Sequence, residues 1–235
     1  MIAALASTGN ALLDALPAAD RADLHTDLRI ISVAAHETTE SVGGRIACID
    51  FPIDAVLSVV ALLEGGESVE VGSVGRESFV ENDVALDSGV AQRAAFCQVR
   101  GTVARMPVER FRTRMAESPA FARLIRQNIR ATLFATQQFA ACNATHSLVQ
   151  RTARWLSMTE DRVGANHYTL AREFLAIMLG VKPGRAADGM GPLEQIGAIA
   201  YKSGRVTILA RGLLNAGACR CYATCKRAYR DSLGE

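Results

Sequence analysis

The sequence predicts an α+β fold in which antiparallel β-structure comes first, one long helix follows, and a helix-turn-helix with a β-hairpin comes last. Short segments rich in β-branched residues, separated by glycine pairs, predict the β-structure. An apolar residue at every fourth position predicts the long helix, and two short helices before a basic hairpin predict the last part. The chain has 235 residues, 49% hydrophobic and 21% charged, so we expect a packed core and two domains.

The first elements are two short helices and a series of strands. Leucines at helical spacing between residues 10 and 28 predict the helices, with Asn10 as the N-terminal cap of the first. The predicted strands are residues 28–33, 45–49, 55–63, 68–72, 94–99 and 102–106. Many short strands at regular spacing favour an antiparallel sandwich or barrel over a parallel sheet.

A short helix over residues 108–116 precedes a much longer one. Ser118 followed by Pro119 is a strong helix start, and no breaker occurs before about Asn143, so the helix would extend on the order of 37 Å. Its apolar stripe consists of Phe121, Ile125, Ile129 and Leu133. Such a helix packs on a second copy or joins two domains, although an ordinary core helix is the alternative. Because a monomer would leave the stripe in water, we assign it to a dimer interface.

The last part of the chain has the order of a helix-turn-helix followed by a hairpin. We predict a helix over residues 149–158, a helix over residues 170–179 that Thr169 caps and Gly180 ends, and the second helix of the motif over Lys182–Gln195. Residues 199–209 predict two strands joined at Ser203-Gly204. Lys202 and Arg205 flank the tip of this hairpin, where they would contact phosphates.

Charge is distributed unevenly along the chain. Residues 1–146 carry 13 Lys and Arg against 17 Asp and Glu, whereas residues 147–235 carry 13 against 7. A basic carboxy-terminal domain fits contact with nucleic acid, although charge alone fits a membrane surface, RNA or a purely solvated face equally well.

Seven segments from both halves of the chain carry a family pattern. They are Asn10–Pro17, Asp50–Pro52, Glu70–Glu77, Arg105–Pro107, Gln150–Arg162, Thr169–Val181 and Gly204–Leu209. In this order they resemble bacterial regulators of the Crp/Fnr family over nearly the whole chain.

The resemblance implies three parts. Residues 1–117 would form an effector-sensing β-roll, a jelly-roll-like double-stranded β-helix. Residues 118–146 would form a dimerisation helix, and residues 147–235 a winged helix-turn-helix. It also implies a homodimer that binds an inverted repeat of double-stranded DNA and recruits or blocks RNA polymerase.

The segments that correspond to the family's cyclic-AMP site depart from its pattern. Members that bind cyclic AMP use a Gly-Glu pair for the ribose and an Arg-Ser or Arg-Thr pair for the phosphate. This sequence has Gly75-Arg76-Glu77 and Gln92-Arg93-Ala94 there, so Arg93 lacks its hydroxyl partner. We therefore expect an effector pocket with Gly75, Arg76, Glu77 and Arg93, and an effector other than cyclic AMP, or none.

The sequence gives weak support for the family's other cofactors, so the cofactor stays unknown. Haem would use His25 or His36, but a lone histidine is more often structural or solvated. An iron–sulfur cluster needs four thiolates, which Cys48 and Cys97 alone do not supply.

Three further cysteines lie near the carboxy terminus, at positions 219, 221 and 225. Their spacing gives three thiolates, one fewer than a structural zinc site uses, and no histidine lies nearby in sequence. We predict no metal site and interpret Cys219, Cys221 and Cys225 as small residues of a terminal helix. An exposed thiol sensor is the alternative.

The second helix of the motif departs from the family pattern as well. It contains Gly184, Gly189, Gly191 and Pro192, which lower helix propensity, and Asp188 where a basic reader of guanine is usual. The best candidates for DNA contact are Thr169, Lys182, Arg185, Lys202, Ser203 and Arg205. Packing of Met178, Leu179, Leu193 and Ile196 can hold the helix. The alternative is a sensor or protein-interaction module whose DNA-reading helix has degenerated.

Other classes of protein are disfavoured. The sequence has no Gly-x-Ser-x-Gly elbow, no phosphate-binding Gly-Lys loop and no His-Glu-x-x-His motif, so we expect no enzyme and no catalytic residues. The longest apolar stretch, Ala55–Leu63, is far shorter than the roughly 20 residues that span a bilayer. Met1–Asn10 lacks the basic segment of a signal peptide, so we expect a cytoplasmic protein with reduced cysteines and no membrane partner.

Overall fold

The computed structural model describes residues 7–234, and within them every side chain except those of residues 172, 173 and 183. Two antiparallel sheets come first, helices follow, and a small sheet among helices comes last, which is the α+β order that the sequence predicts. The expectation about a signal peptide rests partly on residues 1–6, which lie outside this range. Within residues 7–234, no helix is both long and apolar enough to cross a membrane.

Seven strands form the two amino-terminal sheets. They are β1 (Arg29–Val33), β2 (Thr38–Glu40), β3 (Cys48–Pro52), β4 (Val56–Leu62), β5 (Ser68–Val74), β6 (Ala94–Val99) and β7 (Gly101–Pro107). They pair antiparallel in the orders β1-β7-β3 and β2-β6-β4-β5. The sequence predicted six of these strands and missed β2, because three residues are too few to show an alternation.

Short helices cover the ends of these sheets. They are α1 (Ala11–Asp14), α2 (Ala18–Leu24), α3 (Asn82–Ala85) and α4 (Val108–Glu117). Asn10 caps α1, as predicted, by accepting a hydrogen bond from the backbone N–H of Leu13. Its side-chain amide also donates to the carbonyls of Pro52 and Ser78, at 2.7 and 3.1 Å, so this buried cap fixes α1 to the sheets.

Aromatic rings form the centre of the larger amino-terminal core. Phe51, Phe79, Phe111 and Phe121 are fully buried and contact one another in sequence, with ring centroids 5.7, 6.0 and 5.5 Å apart. Burying a phenylalanine side chain stabilises a fold by about 1.5–3 kcal/mol. This ring series therefore holds the start of the long helix against the first sheet.

The long helix α5 spans Pro119–Thr145, and its 27 residues extend about 40 Å. Ser118 caps it by accepting from the backbone N–H of Phe121, as predicted. The prediction that a monomer leaves the apolar stripe in water is wrong for Phe121 and Ile125, which are each 1% exposed. Both residues pack into the core of their own chain, and Ile129 packs partly against it. Of the stripe, Leu133 is the member that stays exposed, at 57%.

The remainder of the chain contains helices around a small sheet. The elements are α6 (Leu148–Val163), β8 (His167–Thr169), α7 (Arg172–Leu179), a 3-10 turn (Pro183–Arg185), α8 (Ala186–Gln195), β9 (Ile199–Lys202), β10 (Arg205–Ile208), α9 (Arg211–Gly217) and α10 (Cys221–Leu233). The sheet order is β8-β10-β9, with antiparallel pairs. A capping box between Ser147 and Gln150 starts α6.

Two predictions in this region are wrong. Thr169 is the last residue of β8 and does not cap α7, whose N-cap is Ala171 with no side-chain hydrogen bond. The second helix of the motif begins at Ala186 and not at Lys182, because Pro183–Arg185 forms the tighter 3-10 turn. The proline suits that turn, since its fixed φ fits a helix start and it has no N–H to leave unpaired.

The carboxy-terminal elements pack against the amino-terminal ones. The core around α6, α7 and α8 includes Val56 of β4 and Val99 of β6. The last helix, α10, lies along α5 and buries Cys225 and Tyr229 against Ala131 and Ala135. The two halves therefore share apolar contacts over two separate surfaces.

Candidate nucleic-acid interface and ligand cavity

Four of the predicted DNA-contact residues meet at one end of the small sheet. Ser203-Gly204 forms the tip of the β9–β10 hairpin, as predicted, with φ values of 50° and 74°. Arg205 pairs with Lys202 on one side and with Thr169 on the other. Directly opposed residues of an antiparallel sheet share a face, and all three are exposed. We call Thr169, Lys202, Ser203 and Arg205 the hairpin row, which presents two positive charges and two hydroxyls.

Lys182 and Arg185 lie on a different element, the turn before α8, and both are exposed. The Arg185 guanidinium forms an ion pair with Asp188 at 3.1 Å. An exposed pair of this kind contributes at most about 1 kcal/mol, so a phosphate can replace the carboxylate. Lys182 and Arg185 thus form a second, weaker group of cations at the start of α8.

The exposed face of α8 is not basic. Asp188 and Glu194 lie on it, whereas Met190 and Leu193 are buried on the opposite side. Ile196, which we expected to be buried, is 53% exposed because it follows the last turn of the helix. A carboxylate on this face can accept a hydrogen bond from cytosine N4, but it repels phosphate.

Three of the cations after residue 146 are paired with carboxylates. Arg162 is buried and pairs with Glu77 of the first half of the chain at 2.8 Å. Asp161 pairs with Arg211 at 2.8 Å and with Lys226 at 2.9 Å, and these three side chains are partly exposed. Arg162 therefore adds nothing to the basic surface that nucleic acid can reach.

The first helix of the motif, α7, packs on the amino-terminal sheet next to β5. The ring of Phe174 stacks on His36 with centroids 4.0 Å apart, and the Met178 sulfur lies 3.3 Å from Oγ of Ser58. These contacts make His36, one of the two histidines considered for haem, a packing residue between the halves.

The carboxyl of Glu70 lies where β5 meets α6. The indole N–H of Trp155 donates to its Oε1 at 3.0 Å, and the hydroxyl of Ser58 donates to its Oε2 at 2.6 Å. Burial raises the pKa of Glu70 to about 7, although these hydrogen bonds and the charge of Arg162 act in the opposite direction. This contact between the halves therefore contains a group that titrates near neutral pH.

Three of the predicted effector-pocket residues lie at the same contact and not in a pocket with Arg93. The guanidinium of Arg162 donates to Glu77 at 2.8 Å. The Arg162 side chain passes so close to Gly75 that a Cβ at this glycine would lie 2.3 Å from Cγ of Arg162. Arg76 and Glu77 line a cavity of about 260 Å³ beside α6 and α10. The predicted grouping is wrong because an arginine from the second half of the chain engages Glu77.

A larger cavity, of about 610 Å³, lies between the second sheet, the α3 segment and α5. Arg93 and Glu81 line it on the side of the sheet, Leu133 on the side of α5, and Tyr229 comes from α10. Its volume is within the range of small-molecule sites, roughly 300–1,000 Å³. Of the four residues predicted for the effector pocket, Arg93 is the one on its wall.

The ionisable groups of this larger cavity do not suit a phosphate. Arg93 forms an exposed ion pair with Asp83 at 3.7 Å, and Asp83 also lines the cavity. Burial and the neighbouring carboxylates Glu40 and Asp83 raise the pKa of Glu81 to about 8, and the same carboxylates would repel a phosphate. A neutral or cationic ligand would meet less repulsion here than a cyclic nucleotide.

Sequence reasoning missed a cluster at the end of α5. Cys142 and His146 lie beside Cys219, which precedes α10, and Cys221, the first residue of α10. A hydrogen bond with Cys219 and burial raise the pKa of Cys142 to about 12, and the same hydrogen bond lowers the pKa of Cys219. No histidine lies near the carboxy-terminal thiols in sequence, but the fold brings them close to His146 at the end of α5. The Cys-x3-His spacing on α5 was the available signal.

Comparisons with solved structures found this fold over most of the chain. A transcriptional regulator of the CRP family from Thermus thermophilus matches with a TM-score of 0.66 and 20% identity, over 80% of this chain and 96% of its own. FixK2 from Bradyrhizobium japonicum matches with a TM-score of 0.68 and 13% identity, over 82% and 98%. The c-di-GMP-responsive global regulator CLP from Xanthomonas campestris matches with a TM-score of 0.64 and 17% identity, over 82% and 99%.

Comparisons by sequence found less: no protein-family model matches the chain, and no curated protein matches it significantly. The likeness is therefore one of fold, and nearly a fifth of this chain lies outside each of these three alignments.

Proposed function

We propose that this chain, which has the fold of the Crp/Fnr transcriptional regulators, is a dimeric regulator that binds double-stranded DNA through its winged helix-turn-helix. The hairpin row is the observation that carries the proposal. Its two cations and the Thr169 hydroxyl lie on one exposed face, as phosphate contact requires, and Ser203 adds an exposed hydroxyl at the hairpin tip. RNA polymerase is the expected partner of the DNA-bound dimer, since regulators of this fold recruit or block it.

DNA binding is tested by incubating the protein with sheared genomic DNA at two salt concentrations and sequencing the bound fragments. We expect one inverted repeat with half-sites about 34–36 Å apart, because a two-fold dimer places its two readers one helical turn apart. Weak binding without sequence preference, lost as salt rises, would contradict the proposal.

The role of the hairpin row is tested by Lys202→Ala with Arg205→Ala. Each lost phosphate contact lowers the slope of log affinity against log salt by about 1, so we expect a decrease of about 2 per protomer. Arg100→Ala with Arg227→Ala is the matched control, since it removes two exposed cations elsewhere. An equal decrease in the control would assign binding to net charge and not to the hairpin row.

The effector of this regulator is proposed to be a small molecule without a phosphate, bound in the larger cavity. The carboxylates of Asp83 and Glu40, which raise the pKa of Glu81 at this cavity, support this proposal because they would repel a phosphate. Thermal unfolding with cyclic AMP is expected to give the same Tm as without it. A Tm increase that Arg93→Ala abolishes would contradict the proposal.

One observation favours a second function, a sensor or protein-interaction module that does not read DNA bases. The exposed face of α8 carries Asp188 and Glu194, and its nearest cation, Arg185, is paired with Asp188. If this function is the correct one, Asp188→Arg will create sequence-selective binding that the native chain lacks. Selective binding by the native chain would exclude it.

A further inference from the structure

Four ligand-bearing side chains converge where the end of α5, the start of α6 and the start of α10 meet. Cys142 lies in the last turn of α5 and His146 is its C-cap, whereas Cys219 lies between α9 and α10 and Cys221 is the first residue of α10. Their ligand atoms all lie within 4.8 Å of one another. The sulfurs of Cys142 and Cys219 are 3.5 Å apart, and the Cys221 sulfur is 3.7 Å from Nδ1 of His146.

We propose that Cys142, His146, Cys219 and Cys221 bind a single thiophilic divalent ion, with zinc as the preferred metal. Zinc takes four tetrahedral ligands with Zn–S of about 2.3 Å and Zn–N of about 2.0 Å, which places neighbouring ligand atoms about 3.5–3.8 Å apart. The two separations above are close to these values. A 2Fe–2S or 4Fe–4S cluster distributes its ligands over two or more irons, so some of its ligand atoms must lie farther apart than the 4.8 Å found here.

The groups around the cluster match the charge of such a centre. Three thiolates, one neutral histidine and Zn²⁺ carry a net charge of −1, and metal binding releases the thiol protons to solvent. Arg154 of α6 is 5% exposed, and its positive charge acts on Cys142 and Cys219. Within the described part of the chain, this guanidinium forms no salt bridge; the carboxyl of Glu70 acts on it at longer range, and it contacts the Phe139 ring at 4.3 Å. A buried cation without a salt bridge is costly unless nearby anions balance it, and the thiolate centre would supply such negative charge.

Two further features support the assignment. The Gln138 amide donates to the Cys221 sulfur at 3.2 Å, which is the kind of outer hydrogen bond that orients a metal ligand. Cys142, Cys219 and Cys221 are buried, which protects a metal centre from competing water. Cys225 is buried too but packs with Ala135 and Tyr229, outside the four-residue group.

The position of the site gives the metal a structural role. His146 lies directly between α5 and α6, and Cys219 and Cys221 begin the helix that lies along α5. A metal bound by all four residues would fix the angle between α5 and α6 and attach α10 to α5.

The site is tested on the full chain, purified under reducing conditions without a chelator. We expect one zinc per chain by mass spectrometry of metals. After zinc is exchanged for Co²⁺, we expect the visible bands of tetrahedral cobalt and thiolate charge-transfer bands in the near ultraviolet. Chelation should lower the Tm, because metal binding free energy contributes to folding.

Variants separate this site from general thiol chemistry. Cys142→Ser and Cys221→Ser should each lose the metal, whereas Cys221→His should keep it with a weaker charge-transfer band, since a histidine replaces one thiolate. Gln138→Ala should lower the affinity roughly 10-fold. Cys225→Ser is the matched control and should keep one metal per chain.

Three results would overturn the proposal. The first is failure of the fully reduced protein to bind either zinc or tetrahedral cobalt. This result counts equally for protein that is isolated with a Cys142–Cys219 disulfide and then reduced. Another is equal loss of metal in Cys225→Ser, and the third is an octahedral cobalt spectrum. None of these measurements uses DNA, so they stand independently of the regulatory function proposed above.

Discussion

Gly75 shows how one missing side chain lets the two halves of the protein meet. A Cβ at this position would lie 2.3 Å from Cγ and 2.6 Å from Cδ of Arg162, so the Arg162 side chain occupies the space that it would need. Any larger residue would displace a buried guanidinium from Glu77. The glycine is therefore required by a contact between distant segments and not by a turn.

We expect Gly75→Ala to lower the free energy of unfolding by about 1–3 kcal/mol, the usual cost of overpacking a buried contact. Urea unfolding measures this change. Gly72→Ala, three residues earlier within β5, is the matched control, because a Cβ there meets nothing within 4 Å. Equal losses of stability in the two variants would show that the cost comes from alanine in this segment of the chain and not from a clash with the Arg162 side chain.

Glu70 makes stability depend on pH. Its pKa is raised from 4.5 to about 7, so the folded chain holds a proton that the unfolded chain releases. The stabilisation is complete below about pH 4.5 and is lost as the pH rises through about 7. Glu81, with its pKa raised to about 8, acts in the same direction.

Glu70→Gln should reduce this pH dependence between about pH 4.5 and 7, because glutamine keeps the shape without the titration. Urea unfolding at a series of pH values measures it. Part of the slope should persist through Glu81. A slope identical to that of the native chain would show that Glu70 does not titrate near neutral pH.

The glycines of α8 have different roles, which the sequence alone does not distinguish. A Cβ at Gly189 would lie 2.2 Å from Oγ1 of Thr152 on α6, so this glycine allows the two helices to approach closely. A Cβ at Gly191 would meet nothing within 4 Å, and its backbone needs no positive φ. The helix is thus held by packing against α6 in spite of its weak intrinsic propensity.

This difference predicts opposite effects of the same substitution. Gly191→Ala should raise the free energy of unfolding by about 0.5–1 kcal/mol, because alanine has the higher helix propensity. Gly189→Ala should lower it by about 1–3 kcal/mol through the clash with Thr152. Thermal or urea unfolding of both variants measures the changes. Stabilisation by both would mean that α8 does not pack on α6 this closely.

At the scale of the whole molecule, α5 belongs to the core of one chain and also offers an uncovered face. One face of its first half packs against the phenylalanine rings of the amino-terminal core. Leu133 and Phe134 on the second half are 57% and 40% exposed, and Arg126, Arg130 and Gln137 continue the exposed face. This face, shifted from the predicted stripe, is the surface on which the proposed dimer would form.

Leu133→Asp with Phe134→Asp should convert the dimer to a monomer, because two buried carboxylates would face their copies across the two-fold axis. Light scattering of the purified protein measures the mass. Ile30→Asp is the matched control, since Ile30 of β1 is 62% exposed and lies away from α5. A mass that equals that of the native chain would place the dimer contact elsewhere.

Elements whose causes are local were predictable from the sequence. Ser118 and Pro119 start α5, Ser203-Gly204 turns the hairpin, and Asn10 caps α1, each through chemistry confined to a few neighbouring residues. The strands were predictable for the same reason, since β-branched residues and glycine turns act within each segment.

Contacts between residues far apart in sequence depend on how the whole chain packs. The apolar residues at every fourth position of α5 show which face of the helix is apolar, but not which surface packs against it. The burial of Phe121 and Ile125 in their own chain was therefore unpredictable. The same holds for Glu77 with Arg162, 85 residues apart, and for Cys142 with Cys219, 77 residues apart. The chemical properties of a side chain are the same whichever residue it contacts. The partner is chosen by how the helices and sheets pack, and no local pattern encodes that choice.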